Sequence, residues 1–242
     1  MLKFRNILTN GVTSYFKHFH VVIGYAIGLF ITLLLNNYAF SIINNNVTFV
    51  YTKGYGFGIY LLILLAIIVS SLVYALFTSI LVFVVRRDLF QGVKKMEMSK
   101  HIIQSGVKIF TLILSLNILF FILYFLVSKT VVAFIMPLVY LIASIFIFYT
   151  PQSIIIDEEG LRFGLRHNYN FIKKHKLTTF LIYIVFIILI FIVGLIGTYI
   201  GGTAGAVVGL IINTIILVPA LEITKTIIYL TKFDIFDSYL KR

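Results

Sequence analysis

Cysteine and tryptophan are both absent from this chain of 242 residues. Without cysteine there is no disulfide framework and no thiolate metal site. Charge is scarce too, at 12% of residues, and acids are the scarcest part of it, with 8 Asp and Glu against 20 Lys and Arg. A soluble domain carries about 25% charged residues, so an ordinary water-facing surface is excluded. Only 3 prolines interrupt the chain. What fills it instead is apolar: 61% of residues, gathered in long uncharged runs. For much of this surface the solvent is lipid.

The net charge of +12 does not describe a nucleic-acid surface. The cations sit in short stretches that flank the apolar runs, where anionic headgroups attract them. A spanning helix needs about 20 apolar residues. By that measure six spans are expected, at about 21–40, 57–85, 109–128, 131–149, 178–200 and 203–229. The last two come from one uncharged run, Leu177 to Leu221, too long for a single helix, and the glycines place its turn near Gly201-Gly202. The basic start precedes a full-length apolar run with no small-residue cleavage signal, so it reads as a retained first span. Of the 20 Lys and Arg, all but Lys53 and Lys129 fall on one side of this layout, as do all the acids. The positive-inside rule then puts both termini in the cytoplasm.

The expected fold is therefore all-α: three helical hairpins, each preceded by a basic amphipathic helix lying at the interface. In the first of these Leu8, Val12, Tyr15, Phe16 and Phe19 share a face. In the third, Leu161, Leu165, Tyr169 and Ile172 do so, opposite Arg162, Arg166 and Lys173. The middle one, over 86–108, is weaker, and a true threefold repeat is one reading of the layout, with ordinary basic hairpin connections the other. Headgroup contacts are expected from Arg86, Arg87, Lys94, Lys95, Arg162, Arg166, Lys173 and Lys174. Within 151–176, Pro151 should end the fourth span. Asp157 should cap a new helix, with Glu158 and Glu159 in its first turn. A small β-hairpin of 153–157 and 161–165 is the competing reading.

This stretch, with Ile154-Ile155-Ile156, an acidic break and the run Gly160 to His175, resembles a broad set of prokaryotic, especially archaeal, six-span membrane proteins of uncharacterised function. They share a pattern with the membrane domain attached to some glycerophosphodiester phosphodiesterases. The opening Asn6 to His20 is similar to how those proteins begin. The resemblance implies the six-span layout. It carries no catalytic residues, and no hydrolase domain accompanies it in this sequence.

Few residues offer chemistry. Glu222 is the one acid near a span interior, with Lys225 on the same helical face. Pro219 frees the Ile215 carbonyl. These, with Asn117 and Asn213 from within spans, are the candidates for a polar pocket. The plainer reading puts the Glu222–Lys225 pair among the headgroups and gives the asparagines interhelical hydrogen bonds. Gly197, Gly201, Gly205 and Gly209 recur every four residues, the spacing of close helix packing, but across the predicted turn. His18, His20, His101, His167 and His175 all lie in basic stretches without carboxylates at metal-ligand spacing. No catalytic motif, cofactor or metal site is expected, and no phosphate loop is present. The expected partners are anionic lipid and other membrane proteins or further copies of the chain. The functional expectation is a non-catalytic scaffold or accessory subunit; the alternative is a small-solute permease or transporter subunit using the pocket around Glu222.

Overall fold

The computed structural model describes residues 4–24, 26–28, 57–90, 98–126, 139 and 142–231. Among them all regular structure is helical. We label the helices α1 (Phe4–Lys17), α2 (Phe57–Phe90), α3 (Met98–Leu126), α4 (Thr150–Ile156), α5 (Leu161–Lys174), α6 (Lys176–Ile200), α7 (Gly202–Ile212) and α8 (Val218–Leu230). A π-helical turn, Asn213–Leu217, joins α7 to α8. Four segments are long and apolar enough to cross a membrane: Leu64–Asp88, Ser99–Leu123, Lys176–Ile200 and Val207–Leu230. Shorter apolar helices occupy Phe19–Gly28 and Ile142–Ile156. Most of the expected first and fourth spans, and both connections carrying Lys53 and Lys129, lie outside the described residues.

Long apolar runs without proline keep α2, α3 and α6 regular, because in hydrocarbon the backbone satisfies its polar groups only within the helix. The break between α6 and α7 has a local cause. Gly201 and Gly202 adopt φ of 74° and 55°, a region costly for any residue with a Cβ. Across this turn Gly197 faces Gly205 so closely that a Cβ on Gly197 would lie 3.0 Å from the Gly205 carbonyl oxygen. Gly209 meets Val193 one turn on. The four-residue glycine spacing thus serves both arms of the hairpin and its corner.

The centre of the molecule is α4. All seven of its residues are buried, and it packs against α2, α3, α5 and α8. Its composition, Thr-Pro-Gln-Ser-Ile-Ile-Ile, reads as a polar exit from the membrane. Here it is core instead, closed in by its neighbouring helices. Pro151 does not simply end the preceding span: the chain turns at 147–149, and Pro151 sits in the first turn of α4, where its missing N–H costs nothing. The turn is held by Asn168 of α5. Its Oδ1 accepts the Tyr149 N–H at 2.8 Å and its amide nitrogen donates to the Phe146 carbonyl. One buried side chain thus meets two backbone groups at the interruption.

Several sequence expectations need correction here. Asp157 does not cap α5; it ends α4, donating its N–H to the Ser153 carbonyl, while Gly160 precedes α5. Glu158 takes φ of 60°, so 157–160 is a turn between two helices, and the β-hairpin does not form. Among the described residues the middle stretch forms no helix of its own: 86–90 finish α2 and 98–108 open α3. Finally, only part of each expected apolar face on α1 and α5 turns inward: Tyr15, Leu161 and Ile172 pack against the core. Ile7 and Gly11 are buried on the first, with His18 just beyond its end, and Gly164, Asn168 and Phe171 on the second. Val12, Phe16, Leu165 and Tyr169, from the expected apolar faces, are exposed. In lipid this arrangement is favourable: small residues permit close packing, and exposed apolar ones meet acyl chains.

Candidate functional site: a buried polar cluster around Glu222

On α8, Pro219 and every residue from Glu222 to Leu230 are buried. Glu222 is 2% exposed and Lys225 5%. The pair is therefore not among headgroups but inside the bundle. Lys225 Nζ donates to Glu222 Oε1 at 2.8 Å. The Tyr74 hydroxyl of α2 donates to the same oxygen at 2.9 Å, and Gln152 Nε2 of α4 donates to Oε2 at 2.9 Å. Both carboxylate oxygens are engaged, from three helices. Lys225 Nζ also lies 5.1 Å from the centre of the Phe148 ring, which supplies a cation–π contact. A buried charge is tolerated only when paired and hydrogen-bonded, and this one meets both conditions.

The two asparagines are not part of this cluster. Asn117 Nδ2 donates to Ser71 Oγ at 3.0 Å and ties α3 to α2. Asn213 opens the π-helical turn, and its Oδ1 is buried without a hydrogen-bond partner among the described residues. The sequence missed Tyr74 and Gln152, because a tyrosine in a span and a glutamine after a proline carry no distinctive signal.

The Ile215 carbonyl freed by Pro219 does find a donor. It is the hydroxyl of Tyr15, on α1, at 3.0 Å. Close packing of α1 on α8 allows this: a Cβ on Gly11 would lie 3.2 Å from Thr224 Oγ1. Burial raises the Tyr15 hydroxyl pKa, keeping it a donor. Tyr15→Phe strands the carbonyl and should cost about 1–3 kcal/mol. In a Pro219→Ala background, which restores an N–H for Ile215, that cost should shrink. A double-mutant cycle on thermal unfolding reads the difference; equal costs in the two backgrounds would remove the Tyr15–Ile215 bond from the account.

A second cluster closes the charged end. Arg86, expected at the headgroups, is half-buried and donates to the Ile155 carbonyl at 2.8 Å and to Glu158 Oε1 at 3.0 Å. Lys108 Nζ donates to the Glu159 carbonyl at 2.9 Å. Asp157 Oδ2 accepts the Tyr229 hydroxyl at 2.5 Å and lies 3.3 Å from His167 Nδ1. These bonds fix the acidic turn to α2, α3 and the end of α8. Near the start of the chain His18, buried, meets Asp88 at 2.9 Å beside Lys17 at 2.7 Å. Burial, opposed by Asp88 and aided by Lys17, holds the His18 pKa below its ordinary value. Arg87 is half-buried, whereas Arg162, Arg166, Lys173 and Lys174 are exposed; Lys94 and Lys95 lie outside the described residues.

Among the described residues no group of three or more His, Asp or Glu is arranged to hold a metal ion. What the geometry defines, among the described residues, is a helical protein with four helices long and apolar enough to cross a membrane and a buried ion pair at the packed junction of three of its elements. Comparison with protein-family models, characterised proteins and solved structures finds no match.

Proposed function

We propose that this chain is a multi-pass cell-membrane protein with both termini cytoplasmic, acting as a non-catalytic scaffold or accessory subunit that contacts lipid or another membrane protein. The observation that carries this reading is the engagement of both Glu222 oxygens by Tyr74, Gln152 and Lys225 within a filled interior. The group that a transporter would use to meet a solute is spent on joining α2, α4 and α8. The outward surfaces fit the same role, with Arg162, Arg166, Lys173 and Lys174 beside exposed Phe163, Leu165 and Tyr169. The resemblance to six-span membrane proteins belongs with this reading, as does the placement of all basic stretches on one side.

One observation favours a permease instead. Gln152 Oε1, Thr78 Oγ1 and Thr150 Oγ1 are buried and have no hydrogen-bond partner among the described residues. Such atoms ask for water or a solute. A cysteine-free chain permits a direct test. Thr150→Cys keeps the residue's approximate size and places a single thiol at the centre. In proteoliposomes, the scaffold reading expects this thiol to resist a membrane-impermeant, cationic thiosulfonate from either side until detergent denatures the protein. Asn170→Cys, at an exposed position on α5, is the labelled control. Rapid labelling of the Thr150→Cys variant in its native state would replace the scaffold with the permease.

A further inference from the structure

A cleft of about 430 Å³ lies between the helical segment ending near Phe148, the last turn of α5 and the first two turns of α6. This is within the roughly 300–1,000 Å³ of small-molecule sites. Its walls include Ile145, Phe148, Ile172, Phe180 and Tyr183, with Lys176 as the one lining cation. The polar atoms of its floor already have inner partners: the Tyr183 hydroxyl is 2.5 Å from Ser144 Oγ, and Thr179 donates to the Tyr149 hydroxyl at 3.5 Å. A ligand therefore meets carbon along its length and an ammonium at one end. Phe148 is held in edge-on contact with Tyr149 and Tyr183 at 4.8 and 5.6 Å, so the wall is braced. Lys173 and Lys174, in the adjacent last turn of α5, add positive charge nearby.

We infer that this cleft is a specific site for one anionic phospholipid, with an acyl chain along Phe148 and Phe180 and the phosphate on Lys176. Charge complementarity selects the occupant. A soluble anion would leave the apolar walls uncovered, and a zwitterionic lipid would bring, beside its phosphate, a cation that Lys176, Lys173 and Lys174 repel. A helix of a second copy would have to bury the exposed Lys176 ammonium against apolar side chains. The inference rests on the membrane placement proposed above.

The chain has no tryptophan, so Phe180→Trp introduces a single indole reporter in the cleft. In phosphatidylcholine nanodiscs, the probe is 10 mol% of a tail-dibrominated lipid, either phosphatidylglycerol or phosphatidylcholine, the roughly tenfold dilution leaving room for the enrichment of about fivefold that one lysine at the surface should give. The site predicts that the brominated phosphatidylglycerol quenches the indole to that enriched degree, and the brominated phosphatidylcholine only in proportion to its mole fraction. The enrichment should fall with added salt and vanish in Lys176→Glu and, if that variant folds poorly by circular dichroism, in Lys176→Gln. Equal quenching by the two lipids, or enrichment surviving both substitutions, overturns the site while leaving the membrane placement intact. No quenching by either lipid from a monomeric protein overturns both. No quenching together with a doubled mass by light scattering puts a second copy in the cleft and overturns the lipid.

Discussion

Lys225→Met should destabilise the protein by about 3–5 kcal/mol, the cost of leaving one partner of a buried ion pair alone. The remaining carboxylate would keep Tyr74 and Gln152 as donors but lose the ammonium that bonds it. Thermal unfolding in micelles, followed by circular dichroism, should show a Tm lower on the order of 10 °C. The companion experiment is the double substitution Glu222→Gln with Lys225→Met. It removes both charges, and its Tm should recover most of the loss, because an uncharged pair avoids the desolvation of a lone ion. If Lys225→Met unfolds within about 2 °C of the parent, the pair is in contact with water and the filled-interior reading is wrong. This substitution sits beside the Phe148 ring, so its effect also reports on the cation–π contact, worth about 2 kcal/mol when desolvated.

The second large effect is at the α6–α7 hairpin. Gly205→Ala should be among the most damaging single-methyl additions possible in the chain, since its Cβ would overlap the Gly197 carbonyl oxygen and lie 3.0 Å from that carbonyl's carbon. Backbone cannot rotate aside as a side chain can, so the cost should exceed the usual range of about 1–3 kcal/mol for overpacking. Gly209→Ala is the contrast, with its nearest neighbours at 3.9 Å; it should cost less than about 1 kcal/mol and, in a helix, gain some propensity. Gly197→Ala, at 3.0 Å from the Gly205 carbonyl oxygen, should fall between them. Melting temperatures that rise from the Gly205 variant through the Gly197 variant to the Gly209 variant support the close crossing. Equal melting temperatures for the three would mean that the hairpin arms are not in backbone contact.

How much of this was legible beforehand follows from what hydropathy reports. It marks long apolar runs, and so the extent of α6, the cores of α2 and α3 and the paired glycines of the turn could be read directly. The freed carbonyl of Ile215 was equally plain, because Pro219 dictates it. Hydropathy does not separate a protein interior from water, however. Thr150, Gln152 and Ser153 look like an exit from the membrane, yet they are fully buried. Asn168 carries no local signal at all, yet it holds a backbone turn together. Arg86 looks like a headgroup contact, yet it serves the Ile155 carbonyl. Each error has one origin: in a membrane protein the inward side is the side where polar groups find partners. Partner identity is a long-range fact. Tyr74, Gln152 and Glu222 come together from three distant parts of the sequence, and no local spacing announces that meeting.

The bond from Tyr15 to the Ile215 carbonyl spans 200 residues. At about 5–20 residues per second of synthesis, roughly 10–40 s separate the appearance of donor and acceptor. Throughout that interval the inner stripe of α1, with Ile7 and Gly11, lacks the helix that finally covers it. The opening helix must therefore wait, held by something other than its final neighbour, and this packing is completed only when α8 arrives.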